Sequence, residues 1–481
     1  MDDVNLQTKV DTPERHMRRI EGLARQFLAM RFSGALELWQ FQRKLLSAQQ
    51  AIQEAISEAK RAPRRERDLQ MLEQLRWVRW QARLLGDTFA WVVLGLDDQT
   101  IVPLGENDRG SVPQRHSAGT LGVLAISESL ANQGLGFPLI HDITDCLRIG
   151  DVTFVHTTGN RHERELTTFE VKTRQTGLEK DPTTGEQIAS LAITVHGISA
   201  SKRFAEVNEN IPVAPLEEQL PTPRVDRRLE DQSVRMARAL SKQTRPNNEL
   251  SDLDGEPYLS FELSSESSRH WDALRYVTRT ARRSGVGVRA IDQSFVYLAV
   301  YDDTNDLLHR LQSVDFKTVV APEFRRVLPE SERDARDSLV INAVLPPHEI
   351  RRPYRSMPYF LHPLAKTTIF DLMNRRMVVV VIVNPGPIIR RLEQLGFQVI
   401  AEPRRKLMPH FKVSCVIGEG DDRYTLHMDS FDHDLWEALH NFQGSEGVIA
   451  KIVAKREALR PLAGDIVAAH RAARARNVTV T

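Results

Sequence analysis

Cysteine is nearly absent from this 481-residue chain, in which Cys146 and Cys415 are the two thiols. Two cysteines build neither a disulfide framework nor a four-cysteine zinc site, and their scarcity fits a reducing compartment. No uninterrupted apolar stretch reaches the roughly 18 residues of a membrane-spanning helix. The chain opens on Asp2 and Asp3 rather than on the basic and apolar regions of a signal peptide. A cytoplasmic protein without a membrane partner is therefore expected. Net charge is scarce as well: 65 Lys and Arg stand against 64 Asp and Glu, leaving +1. The chain is no polycation, and affinity for nucleic acid has to come from local clusters. Candidates are Arg61, Arg64, Arg65 and Arg67; Arg224, Arg227 and Arg228; and Arg279, Arg282, Arg283 and Arg289. There is no Walker loop and no Rossmann glycine fingerprint, so the familiar phosphate-binding motifs give no lead.

What is present is ordinary globular material, 41% hydrophobic and 27% charged, in a chain longer than the roughly 250 to 300 residues at which single cores stop growing. A multidomain α+β protein is expected. Residues 1–95 read as a helical hairpin or short coiled coil: Asp11 is positioned to cap a first helix with Pro13 in its first turn, a second runs from about Ala35 to Ala62, and a third follows Pro63. Trp39, Trp77 and Trp80 sit at helical spacing and read as packing rather than base stacking. From 96 to 248 the pattern turns to a short helix, Leu121–Gln133, and two strand candidates, "LRIGDVTFV" and "LTTFEVKT", with an insertion over about 176–225 and a helix from about Asp226 to Gln243. Residues 249–481 read as a further α+β domain with no catalytic signature. Its apolar run "MVVVVIVNP" is a buried strand, followed by a helix after Pro387 and a returning strand "FQVI", a βαβ-like unit. Asn384, Pro385 and Gly386 at that helix start read as a plain turn before an anion site.

Chemistry concentrates on the two strands of the middle region. Side chains two apart on a strand share a face, so Glu170 and Lys172 point together while Phe169 and Val171 point into a core. Asp151 opens the preceding strand, and pairing of the two strands brings its carboxylate beside Glu170. Two carboxylates that close repel unless a cation lies between them. Oxygen ligands suit Mg²⁺ or Mn²⁺, which take one or two protein carboxylates together with waters and a substrate phosphate. A lysine beside them orients water and offsets developing charge.

These residues resemble the PD-(D/E)XK nucleases: a glycine-led Asp on one strand, then a hydrophobic residue, Glu, any residue and Lys on the next, within roughly residues 120–245. The resemblance implies a restriction-endonuclease-like core of helix, mixed strands, helix and strand. It implies Asp151 and Glu170 as metal ligands, Lys172 as the catalytic lysine, and a Mg²⁺- or Mn²⁺-dependent (endo)deoxyribonuclease acting on DNA, with RNA as an alternative, in a role such as bacterial defence against foreign DNA. Glu128 resembles an acidic residue some members place near the metal, and Gln232 and Arg235 lie where several have a helix facing the site. The "PD" is "GD" here, and the segment between Lys172 and the expected helix is longer than a compact domain needs. His141, Asp142, Asp145 and Cys146 form a second cluster that reads as capping and turn residues rather than a metal site. His156 and His162 fall in a polar turn and read as exposed. The rival reading is a non-catalytic scaffold or nucleic-acid-binding protein with a nuclease-like core, assembling as a homo-oligomer or with a partner protein through its N-terminal helices.

Overall fold

A computed structural model describes residues 12–30, 34–61, 63–96, 98–105, 117–156, 166–180, 187–199, 236, 250–253, 256–259, 269–304, 307–323, 340–346, 357–405, 408–420, 423–428 and 431–468. They form a mixture of helices and small antiparallel sheets, opening with a run of helices at the N-terminal end. The chain divides into two compact units, 1–244 with 352–358, and 245–351 with 359–481. The helical stretch expected as a region of its own, 1–95, shares the first unit with the strands that follow it. Among the described residues no helix is long and apolar enough to cross a membrane.

The first unit begins with α1 (Pro13–Ala29), α2 (Ala35–Arg61) and α3 (Leu69–Val93). Thr12, not Asp11, caps α1, its side chain accepting from the Arg15 N–H with Pro13 at the first helical position, where a missing N–H costs nothing. Asp68 caps α3 the same way through Met71. Trp39 and Trp77 are buried, as packing residues. After α4 (Asp98–Gly105) comes α5 (Ala118–Asn132), capped by Ser117. Four strands follow: β1 (Gly136–Ile140), β2 (Val152–His156), β3 (Leu166–Lys180) and β4 (Gln187–Ser199), hydrogen-bonded in that order and antiparallel throughout.

Two expectations are corrected here. The sheet is not mixed, and residues 176–180 and 187–199, read as part of an insertion, extend β3 and supply β4. The reason is visible in β4 itself, where Ile188, Ile193 and Val195 supply β-branched residues suited to a strand; in the sequence between the two strands stand Asp181, Pro182 and Gly185, residue types that favour turns.

β1 is an edge strand and carries Pro138, a residue that belongs at sheet edges because it cannot donate to a ladder. Its free edge is covered from α2: fully buried Gln42 donates to the Pro138 carbonyl at 2.9 Å and accepts from the Ile140 N–H at 2.7 Å. A single amide thus does the work of a neighbouring strand, satisfying one donor and one acceptor that burial would otherwise strand. α3 approaches the next turn as closely at Gly86, where a Cβ would stand 1.8 Å from the Ile143 carbonyl oxygen.

In the second unit β5 (Leu250–Leu253) and β6 (Glu256–Leu259) form a hairpin. α6 (Trp271–Ser284) packs on β7 (Val286–Ala290) and β8 (Phe295–Tyr301), which with β9 (Val340–Leu345) and β10 (Met377–Val383) make a sheet in the order β7-β8-β10-β9. α7 (Leu307–Gln312), α8 (Phe316–Val319) and α9 (Lys366–Met373) precede β10. The apolar run is β10, central and buried as expected of a strand with neighbours on both sides. The βαβ-like unit is not formed: after α10 (Gly386–Gln394), β11 (Gln398–Arg405) joins β12 (Met408–Ile417) and β13 (Tyr424–Met428) in a separate three-stranded sheet. α11 (Phe431–His440) and α12 (Ser445–Leu459) complete the unit.

Candidate active site

Register fixes the first relation. Val152 pairs with Phe169 across β2 and β3, so Asp151 and Glu170, the next residue along each antiparallel strand, face one another. Asp151 is held from three directions: its N–H donates to the Phe169 carbonyl at 2.8 Å, its carbonyl accepts from the His141 N–H at 2.9 Å, and its carboxylate accepts from the Val171 N–H at 2.7 Å. Val171 stands between Glu170 and Lys172, so the carboxylate is pinned at the midpoint of the Glu-X-Lys triplet.

The residue before it is fitted to the same turn. Gly150 has φ +76°, and a Cβ there would lie 2.6 Å from the Thr168 methyl and 3.0 Å from the Phe169 carbonyl oxygen. Both the left-handed backbone and the close approach of β3 require glycine.

Glu170 and Lys172 share a face as strand parity predicts: the Lys172 ammonium pairs directly with Glu170 Oε1, while Val171 is buried on the other side. Glu170 is 2% exposed and the Lys172 side chain 30%. Burial first, and then the negative charge of Glu170, push the Asp151 carboxyl up to about 7. The floor beneath is a chain of hydrogen bonds, His141 Nε2 to the Thr153 hydroxyl at 2.7 Å and Thr153 to Thr168 at 3.1 Å. Burial drives His141 down to about 4, so the ring is neutral and structural near neutral pH.

Asp142, which sequence reasoning placed in a second cluster and read as a capping or turn residue, joins this group. It sits in the 3₁₀ turn after β1 (His141–Ile143), is pushed up chiefly by burial, and exchanges repulsion with both Glu170 and Asp151. No local pattern announces it, because the turn and the strand meet only in the folded chain.

The remaining members of the second cluster are drawn elsewhere. Asp145 pairs with Arg83 at 3.0 Å and with Arg148, and the Cys146 N–H donates to Asp87 at 2.8 Å. Burial pushes the Cys146 thiol well up, leaving it inert. Arg83 also donates to the Asp142 and Thr144 carbonyls, and Gln49 donates to the Ile143 carbonyl at 2.9 Å. Helices α2 and α3 therefore grip the turn that carries Asp142 and leads to Asp151. A signal for this was present: Arg83 and Asp87 stand four apart in the otherwise apolar second half of α3, where charges are buried only with partners.

Glu128 is not part of the group. It is half exposed on α5 and pairs with Arg43 of α2 at 3.6 Å. His156, read as exposed, is buried, 3.2 Å from the Thr167 hydroxyl. Gln232, Arg235 and His162 lie outside the described residues.

Among the described residues no three His, Cys, Asp or Glu side chains form a metal cage. A magnesium site does not need one, since one or two carboxylates with waters and a phosphate suffice. Asp151, part-buried, and Glu170, buried, face each other as a mutually repelling pair and have the donor chemistry for it. No model of a known protein family matches the chain, and no curated protein and no solved structure matches it.

Proposed function

We propose that the first unit is a metal-dependent nuclease that hydrolyses phosphodiester bonds, with DNA as substrate and a setting such as cytoplasmic defence against foreign DNA. The observation that carries the reading is the convergence of Asp151, Glu170 and Lys172, joined by the hydrogen bond from the Val171 N–H to the Asp151 carboxylate. The order α5, β1, β2, β3, with Asp at the start of β2 and Glu-X-Lys within β3, supports a restriction-endonuclease-like core. The antiparallel β4 following β3 directly departs from that pattern.

A bound Mg²⁺ or Mn²⁺ would lower the pKa of a water and offset charge on the phosphate oxygens. Asp151 and Glu170 would hold it. Lys172, paired with Glu170 and partly open to solvent, turns its ammonium toward the scissile phosphate, where it hydrogen-bonds a non-bridging oxygen and orients the attacking water. The buried walls exclude bulk water and strengthen each of these interactions.

A second reading, a non-catalytic nucleic-acid-binding or scaffold protein, is favoured by one observation: the Lys172–Glu170 pair already supplies a cation to the carboxylates. Incubating the full chain with labelled linear, circular and single-stranded DNA and with RNA, in Mg²⁺, Mn²⁺ or EDTA, separates the two. Cleavage of one class that EDTA abolishes supports the nuclease and names its substrate. Intact substrates in every tube support the scaffold.

A further inference from the structure

The outer face of α6 concentrates positive charge in a chain whose net charge is +1. Arg275, Arg279, Arg282 and Arg283 fall within an arc of about 100° at 3.6 residues per turn, and all four are exposed. Tyr276, 48% exposed, borders the arc, and Arg289 of β7 lies 5.1 Å over its ring. Arg310 of α7, also exposed, lies against Gly285 at the C-terminal end of α6. The one carboxylate of α6, Asp272, pairs with Arg275 at 2.6 Å, and Arg282 reaches Asp371 at 3.4 Å. Arg279 and Arg283, between them, have no carboxylate partner among the described residues.

Two structural causes for such a helix can be weighed. Cations in the last turn interact favourably with the helix dipole, which accounts for Arg282, Arg283 and Arg310. It does not reach Arg275 or Arg279, because the effect falls off within one turn. Packing does not account for them either, since the buried residues are Ala273, Leu274, Val277, Thr278 and Ala281 on the opposite face.

We propose that this face, Arg275, Arg279, Arg282 and Arg283 with Arg289 and Arg310, binds the phosphate backbone of DNA. From Arg275 to Arg283 the helix rises about 12 Å, a length over which duplex DNA carries about seven phosphates, so each guanidinium has a phosphate within reach. Guanidinium forks pair with phosphate oxygens in two-point contacts. Phosphate contacts carry no sequence information, so binding through them is indifferent to sequence.

The inference concerns the second unit alone and stands whether or not the first unit cuts. Its test is fluorescence anisotropy of the full chain with a labelled duplex in EDTA, where cleavage is off, across a range of salt. Arg279→Gln with Arg283→Gln is compared with Arg18→Gln with Arg19→Gln, an equal charge change on exposed residues of α1. The α6 variant is expected to bind about tenfold more weakly near physiological salt, with the slope of log affinity against log salt smaller by about 2. Arg279→Lys with Arg283→Lys is expected to keep most of the slope, which separates lost charge from lost fold. Wild-type slope in the α6 variant, an equal loss in the Arg18/Arg19 control, or no duplex binding by the wild type would each overturn the proposal. So would wild-type affinity for phosphatidylserine vesicles that the α6 variant loses while its DNA binding is unchanged.

Discussion

At residue 150 the backbone takes φ +76°, a conformation closed to proline, whose ring holds φ near −65°. The resemblance that pointed to this site has proline at the corresponding position, so the substitution that makes the motif conform should damage it. Gly150→Pro is expected to lower cleavage by about a hundredfold or more, since displacements near 1 Å at a reacting centre carry losses of that order. Rates measured beside a melting curve check it, and wild-type cleavage by the variant would count against the placement of Asp151. Asp151 itself should show opposite signs in stability and activity. Its folded pKa of about 7 lies above the ordinary value of 3.8, so between those values the folded chain holds a proton that the unfolded chain has released. The group's contribution to stability is present below about pH 4 and is lost as pH rises through 7. Removing the charge should therefore stabilise the metal-free protein above pH 7, by at most roughly 4 kcal/mol. Asp151→Asn is expected to melt above wild type at about pH 8 in EDTA and level with it near pH 4, and to lose cleavage. A variant that melts lower at every pH would show the carboxylate to be a structural group.

Elements place the site by gripping one turn. β1 and the 3₁₀ turn after it are held from outside the sheet by Gln42, Gln49 and Arg83, so the N-terminal helices are part of the framework of the candidate site. Gln42→Ala leaves a buried carbonyl and a buried N–H without partners and is expected to cost about 2 to 4 kcal/mol, against about 0.5 or less for Gln40→Ala on the exposed face. Urea unfolding of the two variants reads the difference, and equal midpoints would remove Gln42 from the account. How much of this was legible follows the range of each interaction. Strand parity put Glu170 and Lys172 on one face, and pairing put Asp151 beside them, because both depend on neighbours along or across two strands. The helices α2 and α3 were readable from their spacing. Gln42 was not, since a glutamine within a helix carries no sign of the strand it will meet 96 residues later. Asp142 was hidden for the same reason. β4 had its β-branched residues and its Asp-Pro and Gly turn residues in plain view, and was missed because the expected core called for a helix next.

For the whole molecule, neutrality overall conceals an uneven distribution of charge between two compact units: acidic groups gathered around Asp151 in one, exposed arginines on α6 in the other, and the two proposals assign cleavage to the first and association to the second. Substrate attraction and substrate cleavage should then fail separately, because removing α6 charge weakens association while removing Lys172 leaves it and removes the chemistry. The measurement that tests the central claim most directly is Mg²⁺-dependent cleavage of labelled DNA by the full chain beside Lys172→Ala, each shown folded by its melting curve and each shown to bind duplex in EDTA. The account predicts metal-dependent cleavage by the wild type and a loss of about a thousandfold in the variant at equal binding. Cleavage at the same rate by both proteins, or none by either, would contradict it.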